Sequence, residues 1–114
     1  MKIDRNATIK KHFDLALLLT TRLAEHNLSV VSHSYDYLSF GNWEMVVSSG
    51  HKERKFFWDG RDFILSVSER MKNNLSQSTQ WKNIEEIPLI EIDVGDLFEK
   101  VYQLAIGEGD TVKK

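Results

Sequence analysis

The sequence predicts an α+β domain in which an antiparallel meander of four to five strands packs against an N-terminal and a C-terminal helix. Three observations carry that expectation. An apolar pattern of helical period covers residues 7–26 and returns after Asp93, the stretch from Leu28 to Ser68 switches to period two, and glycine-bearing turn signals divide that stretch. At 114 residues, with 41% apolar and 28% charged side chains, the composition is that of one ordinary globular domain. Residues 1–110 are expected to form it, with 111–114 as a frayed tail.

On the first helix Ile9, Phe13, Ala16, Leu17, Leu23 and Ala24 fall on one side of the wheel, and Leu15 and Leu19 widen the arc toward His12. Lys10, Lys11, Asp14, Arg22 and Glu25 occupy the other side. The arc exceeds the roughly 100° that a surface helix needs. Burial between the sheet and the second helix is the plain reading; a homodimer seam along this helix is the alternative.

Turn signals then set the strands. Gly41-Asn42 follows Phe40, Ser49-Gly50 follows Val47, and Asp59-Gly60 follows Trp58, the last being the strongest short hairpin signal. A two-residue turn at Asp59-Gly60 puts Phe56 opposite Phe63 and Arg54 opposite Leu65, and one at Gly41-Asn42 puts Phe40 opposite Trp43 and Asp36 opposite Val47. A two- or four-residue connection at Ser49-Gly50 brings Trp43 beside Phe56. The expected core face therefore holds Leu38, Phe40, Trp43, Met45, Val47, Phe56, Trp58, Phe63, Leu65 and Val67. The outer face holds His33, Tyr35, Tyr37, Glu44, Val46, Lys55, Phe57, Asp62 and Ile64.

Residues 69–86 read equally as a short helix marked by Met71, Leu75 and Trp81 or as a polar loop, and in either form they can cover the outer face. Pro88 lacks an amide hydrogen, so IPLIEI is an edge strand or a strap. The last helix is clearer: Asp93 suits an N-cap, Asp96 places negative charge in the first turn, and Gly107 and Gly109 stand past the end. Its stripe is Val94, Leu97, Phe98, Val101, Leu104 and Ala105.

Composition narrows function. The absence of cysteine excludes disulfides and thiolate chemistry and favours the cytosol. The opening MKIDRNATIKKHF is too polar for a secretory signal, and no apolar run approaches the ~20 residues of a membrane span. Net charge is −2, but residues 84–110 carry Glu85, Glu86, Glu91, Asp93, Asp96, Glu99, Glu108 and Asp110 against Lys100 alone. Such a segment is either a solvated face or an acidic docking surface.

Chemistry-bearing constellations are sparse. His12 and His26 lie about 21 Å apart along the helix and cannot share a metal. The expected register brings His33 and His51 to one end of the outer face near Glu53, a set that could hold a transition metal or share a proton; solvated surface histidines are the plain reading. Asp59 is what its turn demands, since its side chain bonds the local backbone, so Asp59 and Asp62 do not read as paired catalytic carboxylates. No phosphate-cradling glycine loop or common hydrolase motif is present, and no cofactor is expected.

The outer face offers Tyr35, Tyr37 and Phe57 around Lys55. Such a face can stack single-stranded bases or anchor a protein, and Glu44, Glu53 and Asp62 beside it weigh against phosphate. The helix–strands–helix order is similar to that of double-stranded-RNA-binding domains, but the final helix opens with Asp93 and Asp96 where those domains carry lysines. In size and acidity the chain resembles small bacterial immunity and adaptor proteins in type, with no shared motif. The sequence therefore predicts a non-catalytic protein-binding domain docking a basic partner through Glu91, Asp93, Asp96 and Glu99, or through Tyr35, Tyr37 and Phe57. A single-strand nucleic-acid binder and a metal-dependent enzyme at His33 and His51 are the alternatives.

Overall fold

The computed structural model describes residues 5–71 and 80–110. Within them the element order is α1 (Arg5–Ala24), β1 (Ser29–Asp36), β2 (Asn42–Ser48), β3 (Lys52–Asp59), β4 (Ile64–Met71), β5 (Lys82–Pro88) and α2 (Val94–Asp110). The strands form one five-stranded antiparallel sheet in the order β1-β2-β3-β4-β5, so the fold is an α+β meander with a helix before and a helix after it. The described residues fall into two compact units: a helical unit of residues 5–26 and 92–110, and a sheet unit within Asn27–Glu91.

In the helical unit, His12, Ala16, Leu19 and Leu23 form the buried stripe of α1, and Leu97, Phe98 and Val101 that of α2. The expected wide arc on α1 is only partly realised, because Phe13, Leu17 and Ala24 remain exposed. The His12 ring meets Phe13 and Phe98 edge-on at 5.1 and 5.3 Å. Along the helix pair Arg22 donates to Glu99 at 2.7 Å and lies over the Tyr102 ring at 3.6 Å, and His26 Nε2 lies 2.9 Å from the Tyr102 hydroxyl. The Arg22 guanidinium, with Gln103, holds the Glu99 carboxyl below its usual value. α1 closes through Asn27, whose φ of 62° is the left-handed conformation asparagine tolerates past a helix end.

The sheet register corrects two of the expected turns. Between β1 and β2 the chain turns over Tyr37–Gly41, so that Asp36 faces Asn42 and Tyr35 faces Trp43. The cause is local: Asp36 Oδ1 accepts the amides of Leu38 and Ser39, opening the turn before Gly41-Asn42 is reached. Between β3 and β4 the loop is Gly60–Phe63 and Asp59 faces Ile64. Asp59 Oδ1 accepts the amides of Arg61 and Asp62, and the Phe63 amide reaches back to the Asp59 carbonyl at 2.8 Å. At Ser49-Gly50 the wider option holds, with Ser48 facing Glu53.

Side chains alternate faces along a strand, so each correction has a definite consequence. The β3–β4 change preserves parity, and Phe56, Trp58, Leu65 and Val67 stay on the buried face with Trp43, Met45 and Val47. The β1–β2 change reverses it. His33 and Tyr35 therefore share the Met45 and Trp43 face instead of the Phe57 face. Leu38, Phe40 and Phe63, expected in the core, lie in turns and are exposed.

The 69–86 segment is strand at both described ends, with β4 reaching Met71 and β5 beginning at Lys82. The choice between a short helix and a loop around Leu75 falls outside the described residues, as does the tail 111–114. Pro88 ends β5, the outermost strand, where its missing amide costs no ladder bond.

Candidate functional site

Strand direction brings the C-terminal ends of β1, β3 and β5 and the N-terminal starts of β2 and β4 to one end of the sheet. Four large apolar side chains stand exposed there: Leu38 at 79%, Phe40 at 64%, Phe63 at 40% and Ile90 at 72%. Two of them sit in a backbone conformation that bulky residues rarely adopt, with φ of 59° at Phe40 and 58° at Phe63.

Polar bonds tie these turns together. The Gly60 amide donates to Asn42 Oδ1 at 2.7 Å, and the Leu89 amide donates to the Phe63 carbonyl at 2.8 Å. Gly60 packs so closely that a Cβ there would strike the Phe40 carbonyl. The Arg61 guanidinium lies 5.9 Å from the Phe40 ring, and the Phe63 ring meets Trp58 edge-on at 6.4 Å. Asp36, Asp59, Asp62 and Glu91 surround the apolar tips, the first two with one carboxylate oxygen committed to the turn backbone.

Beside the tips, a groove of about 400 Å³ is lined by Ser34, Tyr35, Asp36, Ser39, Asn42, Trp43, Glu44 and Phe57. Ser34, Glu44 and Phe57 lie side by side across β1, β2 and β3. The opposite end of the sheet is basic. Lys55 Nζ and the Arg70 guanidinium lie over the Trp81 ring at 4.6 and 4.2 Å, Arg70 also donates to the buried Glu53 at 2.9 Å, and Arg54 donates to Glu69 at 2.7 Å.

This geometry disperses the sites expected from sequence. Tyr35 lies on the buried face, where burial and then neighbouring Tyr37 push its phenol up, Tyr37 is in the turn, and Phe57 is on the other face. Lys55 is engaged with the Trp81 ring, which lies 4.6 Å from its ammonium. His33 packs edge-on to Trp43 at 6.5 Å and burial pushes its imidazole down, whereas Glu53 faces the other way and bonds Arg70. His51 sits in the β2–β3 turn. Among the described residues no group of His, Asp and Glu is placed to hold a metal ion.

The acidic set is likewise divided. Asp93 caps α2, its carboxylate accepting the Gly95 amide at 2.8 Å, Asp96 follows in the first turn, and Glu99 is paired with Arg22. Glu91 belongs to the sheet unit and has a φ of 58°. The turn-end cluster was missed because Leu38, Phe40 and Phe63 fit the period-two pattern of a core face. The readable signal was the aspartate before each turn: Asp36, like Asp59, can bond the next amides and end its strand early.

Among the described residues no helix is long and apolar enough to cross a membrane. Comparison with protein-family models, with curated proteins and with solved structures finds no significant match.

Proposed function

We propose that the chain is a small non-catalytic protein-binding domain, of immunity or adaptor type and working in the cytosol, that docks a basic protein partner with the turn end of its sheet. The exposed tips carry this reading. Single exposed apolar residues are ordinary, but several on adjoining, hydrogen-bonded turns form a surface of the kind that binds. Left-handed backbone costs a bulky residue roughly 1–2 kcal/mol, and glycine or asparagine would adopt it more readily at Phe40. A fold that keeps an exposed phenylalanine under that strain has a use for the ring.

Charge selects the partner. Asp36, Asp59, Asp62 and Glu91 outnumber Arg61, which lies 3.8 Å from Asp62, so the net negative charge around the tips favours a cationic protein surface and disfavours a phosphate backbone or an anionic bilayer. Aromatic anchors ringed by polar residues are the usual form of an interface hot spot.

A photoreactive phenylalanine at position 40, with the same group at exposed Glu85 on β5 as control, tests the reading in cells of the native source. A defined protein adduct is expected from position 40 and not from 85, and it should vanish when Asp62 is changed to lysine. No adduct from 40, an adduct with lipid, or one indifferent to Asp62→Lys would overturn it.

A further inference from the structure

We infer that the groove beside the turn tips takes an arginine side chain of the docking partner, an assignment that rests on the docking reading above and specifies its chemistry. The groove, about 400 Å³, has room for a long side chain. Its wall pairs an aromatic ring with a carboxylate, because Phe57 and Glu44 are direct cross-strand neighbours. That juxtaposition matches a guanidinium, whose plane stacks on a ring while its edge meets a carboxylate through paired N–H donors.

Glu44 is poised for such a partner. Among the described residues its carboxylate makes no hydrogen bond or ion pair, although Glu44 is half-buried within β2. Its cross-strand neighbours, Ser34 and Phe57, bring no charge. The nearest cation on this face, Lys55, leans away across β4 to the Trp81 ring. Asp36 adds a second carboxylate at the groove's end, and Ser34 and Ser39 offer hydroxyls to the remaining guanidinium hydrogens. A lysine ammonium would gain the charge attraction but neither the planar stacking nor the paired donors.

The test titrates the ¹⁵N-labelled full chain with N-acetyl-arginine amide, with the citrulline and lysine analogues as controls. Saturable shifts in the millimolar range are expected at the amides of Ser34, Glu44 and Phe57. Glu44→Gln should weaken binding at least about tenfold, the value of one lost charge-assisted pair. Glu85→Gln, on β5 and outside the groove lining, should leave it unchanged, which controls for a general loss of surface charge. Absence of saturable shifts, equal response to citrulline or to lysine, or an unaltered Glu44→Gln titration would overturn the assignment, while adducts at position 40 would still stand.

Discussion

Replacing Phe56 by alanine is expected to lower unfolding free energy by about 3–5 kcal/mol, the usual cost of emptying a phenylalanine site in a packed interior. Phe56 is 0% exposed, faces Met45 on one side and Val67 on the other, and lies on the central strand of the sheet. Since small domains hold only about 5–15 kcal/mol in total, the variant should be close to unfolding at room temperature. The adjacent Phe57 points to the opposite face and is only half-buried, so Phe57→Ala should cost less than half as much. Urea unfolding of both variants reads the parity of β3 directly. Equal losses, or a larger loss at Phe57, would reverse the assignment of faces.

Gly60→Ala should cost about 3 kcal/mol, at the upper end of overpacking effects, because the obstacle is backbone that cannot swing aside. The new methyl group would meet the Phe40 carbonyl, with the carbonyl carbon at 3.0 Å and Asn42 Oδ1 at 3.5 Å. Relief requires parting the two turns and weakening the bond from the Gly60 amide to Asn42. Gly41→Ala provides the comparison. Its φ is 71° with nothing within 4 Å of an added Cβ, so it carries only the left-handed strain of about 1 kcal/mol. Urea midpoints for the pair should separate clearly, and a Gly60→Ala protein as stable as Gly41→Ala would mean that the turns do not touch.

The periodic parts of the fold were legible because their signals agree with one another. Asp93 was readable as an N-cap, and the β3 and β4 face assignments survive a wrong loop length because four residues preserve the parity that two would have set. The first hairpin was not readable in that way. Gly41-Asn42 competes with Asp36 as the site of the turn, and the outcome depends on side-chain-to-backbone bonds that composition does not rank. Misplacing that one turn moved His33 and Tyr35 to the wrong face and sent Leu38 and Phe40 into an imagined core. The error concealed the candidate site itself, since residues assigned to an interior are not considered for a surface. Glu44 and Phe57 were placed correctly on the outer face, but their direct pairing and the groove depend on the turns beside them.

On the docking proposal the exposed ring of Phe40 serves binding and not folding, and Phe40→Asn tests this most directly. Asparagine accepts left-handed backbone and gives up a ring that is 64% exposed, so the urea midpoint should stay level or rise. The decisive measurement is the dissociation rate of the protein partner identified by crosslinking at position 40. A hot-spot aromatic is worth about 2 kcal/mol or more, so the variant should leave its partner roughly thirtyfold faster than the parent chain. An unchanged dissociation rate, with the variant folded, would contradict the account.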